Sequence, residues 1–360
     1  MRCQQAGFRK VLRLTASLQS ACSILAPARA AGFPAAGIVD PRLLAPWAER
    51  LSGLRSSGFL DHERFDGLEW GWILEPERWA PHAAILVCCF PCAPGGPDDL
   101  SSPGDPHTLI APFARTHYYR TAVRLLGDAA RRIEGDLGLE HGAVRPFSNS
   151  RIPEKPLLAA SGLAAYGRNG LAIAPGLGSH FVIAGAVIPV ATEKLLTSPV
   201  KPAASPCGSC TRCMDSCPAG AIVEPGRVDP GRCLQGMAGM PVELPPAVME
   251  KWGTRLYGCQ DCQAACPSNR GVSAAAPPGG QPGPSVSIRR LLSMDAAAVK
   301  SWFRGTAIGM SWISGEALLR NALIAAGNRG DKALQGDVAR FLNHTDPVLR
   351  HTARWAAERL

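Results

Sequence analysis

The sequence predicts an α+β protein of several domains, and three observations lead to that fold class. The chain has 360 residues, 46% of them apolar, which is enough to bury more than one core. Residues 1 to about 200 alternate helical and strand patterns, whereas residues 201–270 are rich in cysteine, proline and small residues. We therefore predict an α/β domain at 1–200, a cysteine-rich domain without an ordinary core at 201–270, a linker at 271–287, and helices at 288–360.

The N-terminal segment predicts an amphipathic helix. Its apolar residues recur at helical spacing: Phe8, Val11, Leu14, Leu18, Ala21 and Leu25. Gly32 is the expected C-cap. The "ARA" at 28–30 would also suit an export signal, but Arg13 and Gln19 interrupt any apolar region, so the helix and a cytoplasmic location are favoured.

The rest of the first domain predicts four strands and a helix. "PAAGIVD" and "AAILVCCF" (83–90) predict strands, the second of them fully buried, and a polar loop follows at 91–106. "HYYRTAVRLLGDAARRIEGDLG" predicts an amphipathic helix, and "GLAIAP" and "FVIAGAVIPV" predict short strands around the turn "GLGS". No apolar run is long enough to span a membrane, and we expect a monomer.

The C-terminal segment predicts a helical repeat. "LLRNALIAAGNRGD" (318–331) and "VLRHTARWAAER" (348–359) align at a spacing of 30, which suggests stacked helix pairs. Residues 285–360 contain 11 Lys and Arg against 6 Asp and Glu, so they carry +5 of the net charge of +9. This charge suits a nucleic acid, and a solvated helical surface is the alternative.

Eight of the 13 cysteines lie in two runs and the segment between them. The first run, "CGSCTRCMDSCP", has the spacing C-x2-C-x2-C-x3-C-P, in which three cysteines bind one cluster and the fourth crosses to another. Crossing gives one set of Cys207, Cys210, Cys213 and Cys266, and a second set of Cys217, Cys233, Cys259 and Cys262. We predict two 4Fe-4S clusters, with structural zinc as the alternative. The remaining cysteines, which include Cys3, Cys22, Cys88, Cys89 and Cys92, are expected to be small apolar residues.

Three segments together resemble the epoxyqueuosine reductase family: residues 146–188 with "GRNGLAI", the double cysteine run, and "EALLRNALIAAGNRGD". The resemblance covers nearly the whole chain. It implies a cobalamin domain related to the reductive dehalogenases, then a ferredoxin-like domain with two 4Fe-4S clusters, then a HEAT-like helical repeat. By the same resemblance, electrons from an external low-potential donor would pass through the clusters to cobalamin, which would reduce an epoxide on tRNA to an alkene.

The resemblance also implies site residues. Gly167, Arg168, Asn169 and Gly170 of "GRNG" would lie against the corrin, and Gly178 and Ser179 would continue that wall. An ordinary tight turn is the alternative for "GRNG". Tyr118 would face the substrate, although a helix-surface tyrosine would look the same in the sequence.

The sequence departs from the family in "FSNSRIPEKP", where Asn149 replaces an aspartate that is the presumed proton donor. An amide cannot donate a catalytic proton in this way. Tyr118 or Glu154, which matches a family glutamate, would then supply the acid. The departure leaves two alternatives to epoxyqueuosine reduction: a paralogue that reduces another acceptor, such as a dehalogenase-like enzyme for a small molecule, and an electron carrier without its own substrate.

Overall fold

The computed structural model describes residues 16–59, 66–92, 98–196, 198–272 and 281–360. Over these residues the helices are α1 Ala16–Ala30, α2 Ala45–Ser56, α3 Gly71–Leu74, α4 Pro76–Trp79, α5 Tyr118–Leu137, α6 Glu154–Ala160, α7 Arg212–Asp215, α8 Leu234–Met237, α9 Pro246–Trp252, α10 Asp261–Ala264, α11 Ile288–Leu292, α12 Ala296–Trp302, α13 Gly315–Arg329, α14 Gln335–Ala339 and α15 Pro347–Ala357. The strands are β1 Ala35–Ile38, β2 Ala84–Pro91, β3 His107–Ile110, β4 Arg145–Phe147, β5 Ala165–Tyr166, β6 Ala172–Ile173, β7 Phe181–Ile188, β8 Ile222–Glu224, β9 Arg227–Val228, β10 Arg255–Tyr257 and β11 Ser285–Ser287.

The N-terminal part is built on a four-stranded sheet with helices on both faces. The strand order is β1-β2-β7-β4 and all three pairings are antiparallel. Leu86 and Cys88 of β2 face α1 and α5, while Ile85 and Val87 face the side that α6 covers. The strand predicted from "AAILVCCF" is buried along its whole length, as expected, and it pairs antiparallel with both of its neighbours.

Local sequence signals fix the ends of the main helices. α1 ends at Ala30, just before Gly32 at φ +97°, as predicted. α5 begins after His117, whose ring Nδ1 accepts from the Arg120 amide at 3.3 Å, and it ends at Gly138 in the left-handed region, which favours glycine. Of the predicted N-terminal helix, Phe8, Val11 and Leu14 lie outside the described residues, as does Cys3, and nothing is said of the Leu18 and Cys22 side chains. Ala21 and Leu25 pack on the core as expected.

A second sheet joins three parts of the chain. β3 pairs in parallel with β10, which lies between the two cysteine runs, and antiparallel with β11. β11 lies inside the predicted linker, so the linker prediction is wrong for 285–287; residues 273–280 lie outside the described part of the chain. The linker composition therefore concealed a strand that is ordered by pairing with a distant partner.

The cysteine-rich segment has a core after all, and it shares that core with the C-terminal helices. Leu234, Met249 and Trp252 from between the cysteine runs are buried in one cluster with Leu319 and Leu323 of α13. The expectation of no ordinary core at 201–270 is therefore corrected for the part after Cys233. These residues bury apolar surface on a neighbouring helix, which the local composition could not indicate.

A buried arginine fastens α13 to the segment that follows Cys233. Arg320 is 0% exposed, and its guanidinium donates to the carbonyls of Met237 at 3.0 Å and of Met240 and Val242 at 2.8 Å. Asn321 Nδ2 donates to the carbonyls of Ala238 and Leu256 at 2.9 and 2.8 Å. Buried polar groups of this kind must be paired, so these side chains fix the path of the chain between Cys233 and Cys259.

The two predicted repeat segments are helices that pack on each other. α13 and α15 are in contact, and Gly327 leaves room for Trp355 and Ala356, since a Cβ there would lie 2.8 Å from the Trp355 ring. The aligned pairs Leu319 with Leu349 and Ala326 with Ala356 are all fully buried. The HEAT-like character of this segment stays a prediction.

Candidate active site

The eight cysteines of the two runs and the segment between them form two groups around two different pockets. Cys207, Cys210, Cys213 and Cys266, here named the first group, line a pocket of about 40 Å³. Cys217, Cys233, Cys259 and Cys262, the second group, line a cavity of about 450 Å³. The structure thus brings together the two sets that the spacing predicts, including the crossing of Cys217 and Cys266.

Tight turns and two short helices position these thiols. The Cys210 amide donates to the Cys207 carbonyl at 2.9 Å, and the Cys217 sulfur accepts from the Ala221 amide at 3.2 Å. α7 carries Cys213 of the first run and α10 carries Cys262 of the second, and the two helices pack against each other. The turns follow from the x2 spacing, and the proline after each last cysteine leaves no amide donor at that position.

The electrostatics of the second group suit a cationic centre. Burial, with Cys259 and Cys233 nearby, raises the pKa of the Cys262 thiol to about 12. Four thiolates at one site would repel one another, and positively charged iron offsets that repulsion. Within the described residues, no trio of His, Cys, Asp or Glu converges as the ligands of a single ion would. Soft thiols in two groups of four fit iron-sulfur clusters.

The cavity lies between the second group and the N-terminal sheet. Phe181, Val182 and Ile183 of β7 line it, as do Phe113 and Leu171, so much of its wall is apolar. Polar side chains are spread around this wall. They are Asn149, Glu154, Lys155, Asn169, Ser179, His180, Gln235 and Gln263.

The "GRNG" stretch is the turn between β5 and β6. Gly170, at φ +72°, donates its amide to the Gly167 carbonyl at 3.0 Å, and Asn169 Oδ1 accepts from the Leu171 amide at 3.2 Å. Asn169 and Gly170 line the cavity. Gly167 does not, because it packs under the turn against Ile173, and Arg168 points to the first group and donates to the Gly208 carbonyl at 2.7 Å. The "GRNG" stretch is therefore a tight turn, and two of its four residues also form part of the cavity wall.

Gly178 and Ser179 attach this wall to the second cysteine run. A Cβ on Gly178 would lie 2.1 Å from Asn269 Oδ1, so no larger residue fits without displacement. The Ser179 amide donates to Asn269 Oδ1 at 2.7 Å, and Gln263 Nε2 donates to the Ser179 carbonyl at 3.0 Å. Ser179 lines the cavity; Gly178 is the point of close contact behind it.

Asn149 lines the cavity in an unusual backbone conformation. Its φ is +50°, in the left-handed region that Asn and Asp tolerate better than other side chains. Its Nδ2 donates to the Met310 sulfur at 3.5 Å, so the loop touches the C-terminal part of the chain. An aspartate would fit the same backbone conformation. The difference from the family at this position is therefore the replacement of a carboxyl by an amide and not a change of backbone.

Glu154 is a carboxyl in the cavity wall that holds its proton. It begins α6, and its Oε1 accepts from the Ser150 amide at 3.3 Å. It lines the cavity and is partly exposed, and the protein around it displaces much of its water. This burial raises the pKa of Glu154 to about 8, against the smaller opposing effect of the amides of Ser150 and Asn149. A carboxylic acid that is neutral at pH 7 can donate a proton.

The structure does not place Tyr118 in the cavity. Tyr118 is 5% exposed and packs in the core beside Phe90, with ring centroids 6.4 Å apart. The next residue, Tyr119, lines the cavity instead, and burial raises its pKa. The placement of Tyr118 toward a substrate is thus corrected: consecutive helix positions point about 100° apart, so a shift of one residue exchanges core for cavity.

Several cavity residues have no place in the sequence prediction, and three of them have polar groups of particular interest. Lys155 Nζ donates to the Gly170 carbonyl at 3.1 Å and so joins α6 to the "GRNG" turn. Gln235 lines the cavity with a buried amide oxygen that has no hydrogen-bond partner among the described residues. Tyr119 is the third. The "EKP" pattern could have indicated Lys155, whereas nothing in the local sequence distinguishes Gln235.

The fold and the two thiol groups define an iron-sulfur protein. Residues 206–269 match the family model of the 4Fe-4S double cluster binding domain. The epoxyqueuosine reductase of Gloeobacter violaceus is 30% identical over 337 residues, which cover 88% of this chain and 98% of that protein. The chain belongs to the epoxyqueuosine reductase family.

Other relatives and solved structures agree in fold. The epoxyqueuosine reductase of Bacillus subtilis is 29% identical over 252 residues, and the match spans 63% of that protein's length. The structure of epoxyqueuosine reductase from Streptococcus thermophilus superposes with a TM-score of 0.77 at 21% identity, over 93% of this chain and 89% of that one. An epoxyqueuosine reductase with an epoxyqueuosine-modified tRNA-Tyr stem loop superposes with a TM-score of 0.74 at 22% identity, over 93% and 88%. None of the described helices has the length and hydropathy needed to cross a membrane.

Proposed function

We propose that this chain reduces the epoxide of epoxyqueuosine in tRNA to the alkene of queuosine. The observation that carries the proposal is the cavity itself, where the second cysteine group forms one part of the wall and Asn149 and Glu154 form another. Epoxide removal to an alkene and water consumes two electrons and two protons. One wall can deliver electrons and the other can deliver a proton.

The chemistry of the cavity wall suits cobalamin as the group between the clusters and the substrate. Its walls are largely apolar, which suits a flat macrocycle, and Asn169, Ser179, Gln235 and Gln263 offer hydrogen bonds suited to carboxamide arms. Gly170 brings bare backbone to the wall. When bound there, cobalamin would supply the low-potential reducing chemistry that side chains lack. The chain's own residues would hold it, exclude water and position the proton.

Glu154 is the acid in this proposal. Asn149 lies at the cavity but has only an amide, whereas the Glu154 carboxyl is protonated at neutral pH. Glu154 would give its proton to the oxygen that leaves the epoxide, and general acids typically contribute about 10²- to 10⁴-fold in rate. Tyr118 has no part because its side chain is in the core.

The RNA partner is supported by the charge of the chain and by the relative solved with a tRNA stem loop. The C-terminal helices supply fewer usable cations than the sequence suggests. Arg320 is buried, and Lys300 Nζ donates to the carbonyls of Met310 and Ile313 at 2.6 Å each. Arg304, Lys332, Arg340 and Arg354 are exposed and remain candidates for phosphate contacts.

The test is mass spectrometry of nucleosides from epoxyqueuosine-containing tRNA incubated with anaerobic, cobalamin-supplied and reduced protein. We expect queuosine from the wild type and none when cobalamin is omitted. The same sample should contain about eight irons per chain if both clusters have four. Zinc in place of iron would overturn the cluster assignment.

Asn149 favours a second candidate, a reductase of the same kind with another acceptor. If that candidate is correct, the wild type with both clusters reduced and cobalamin bound gives no queuosine, and the Asn149→Asp variant gives none either. Queuosine formed by the wild type contradicts it.

A further inference from the structure

The first cysteine group lies at the protein surface, away from the cavity. Cys207 and Cys210 are partly exposed, and the residues around them, Pro206, Gly208 and Thr211, are exposed. No cysteine of this group lines the cavity, whereas all four of the second group do. Asn169 lines both pockets and so marks where they adjoin. We therefore expect electrons to enter the protein at the first group and to pass from there to the second.

The surface around the first group is basic. Arg168 lines its pocket, Arg212 is exposed between Cys210 and Cys213, and Arg270 is exposed shortly after Cys266. The nearby acids are partly engaged: Asp261 accepts two hydrogen bonds from Arg255 at 2.7 and 2.8 Å. Asp215 accepts from Thr211 Oγ1 at 2.8 Å. Arg168 at the pocket, and Arg212 and Arg270 within four residues of cysteines of the first group, thus give this part of the chain a positive charge.

We propose that this face, made of residues 206–212 with Arg168 and Arg270, is the docking surface for an acidic protein that carries a low-potential one-electron centre. The inference rests on the proposed function only in requiring both clusters. In each encounter the donor loses one electron and the cluster at this face gains one. Two encounters supply the two electrons that an epoxide consumes.

The size and charge of the face suit a brief encounter. Electron-transfer partners bury small interfaces and dissociate readily. Opposite charge on the two partners speeds their association by about 10- to 10³-fold at low salt, and this gain is lost as salt screens it. A donor docked here would stand against the partly exposed Cys207 and Cys210 without blocking the cavity.

The test measures cluster reduction directly, without tRNA or cobalamin. Anaerobic stopped-flow mixing follows the bleaching of the clusters by a reduced acidic flavodoxin, and separately by reduced methyl viologen, a small cation that needs no docking surface. The variant is Arg212→Glu with Arg270→Glu. The matched control is Arg354→Glu, an exposed arginine on α15 far along the chain from the cysteines.

We expect the double variant to be reduced by flavodoxin at least about tenfold more slowly at low salt, with a flatter salt dependence. Its reduction by methyl viologen should not become slower, because the added negative charge attracts a small cation, and its iron content should stay at the wild-type level. If iron is lost, Arg212→Gln with Arg270→Gln replaces it and should slow flavodoxin to a smaller extent. Wild-type rates with flavodoxin, or equal slowing by Arg354→Glu, would overturn the proposal. A chain that reduces another acceptor would still show the effect, so failure here is separate from failure of the proposed function.

Discussion

Glu154 is the residue on which the proposed chemistry most depends. We expect Glu154→Gln to lower the rate of queuosine formation by about 100-fold or more, because the amide keeps the shape but cannot give a proton. In the wild type the rate should fall as pH rises through about 8, since the carboxyl ionises there. The variant should lose that limb of the pH profile. Glu49→Gln, on the exposed part of α2, is the control. An unchanged profile in Glu154→Gln would assign the acid elsewhere.

Asn149 allows a rescue experiment. An aspartate fits the left-handed backbone at φ +50° as well as asparagine does. We expect Asn149→Asp to recover much of the turnover that Glu154→Gln loses, because it returns a carboxyl to the same cavity. Single-turnover rates of the double variant, compared with Glu154→Gln alone, provide the measurement. No recovery would mean that a carboxyl at position 149 cannot reach the reacting oxygen in this chain.

At the residue scale, the sequence predicts contacts that depend on the spacing of residues along the chain. It does not predict the direction in which a helical side chain points. The cysteine sets follow from short fixed turns, so their grouping could be written down in advance. Tyr118 is misplaced because the resemblance does not distinguish two adjacent tyrosines, and a shift of one residue along a helix turns the side chain by about 100°. Gln235 could not be found at all, since its place in the cavity is determined by α13 and Arg320 from far along the chain.

Among the elements, the segment between the cysteine runs supplies one expected cluster ligand, Cys233, and this can be tested. We expect Cys233→Ser to lower the iron content from about eight to about four per chain, because one four-iron cluster loses a ligand. Cys92→Ser should keep all of the iron, since Cys92 lies outside both groups although it also lines the cavity. Anaerobic iron and sulfide analysis would decide. Full iron in the Cys233 variant would remove Cys233 from the ligands.

α13 gives a second prediction at this scale. Arg320→Met should lower the free energy of unfolding by about 3 kcal/mol, because buried carbonyls such as that of Met237 lose their donor, at about 1–3 kcal/mol each. We expect the second cluster to be lost before the first, since the held segment leads from Cys233 to Cys259. Denaturant unfolding and iron content are the measurements. Arg350→Met, at the aligned and partly exposed position on α15, should change neither by much.

The element scale also shows why part of the fold was hidden. α5 and β2 follow from strong periodicity or a long apolar run, and both were predicted. β11 has three residues in a glycine- and proline-rich stretch, and only its pairing with β3 makes it a strand. The antiparallel order of the first sheet is a property of topology, which a buried apolar strand does not reveal.

For the whole molecule, binding of tRNA should depend steeply on salt. Each phosphate contact releases counterions and adds about 0.9 to the slope of log K against log salt for duplex nucleic acid. We expect the triple variant Arg304→Gln, Lys332→Gln and Arg340→Gln to have a smaller slope than the wild type. The difference should equal the contribution of one to three phosphate contacts. Filter binding at several salt concentrations gives the slope. A slope equal to that of the wild type would make these helices an ordinary solvated surface.

The hydrogen bonds that Arg320 and Asn321 donate to the segment after Cys233 also affect the order in which the protein folds during translation. All eight cysteines of the two groups leave the ribosome before α13 does, because α13 begins at Gly315 and the last of these cysteines is Cys266. Until then the segment after Cys233 has neither its buried donors nor the apolar surface on which it packs. The first group, built from local turns, can take shape early in synthesis. The second group can complete its geometry only after α13 has been synthesised, so we expect the cluster site next to the cavity to form later than the first group.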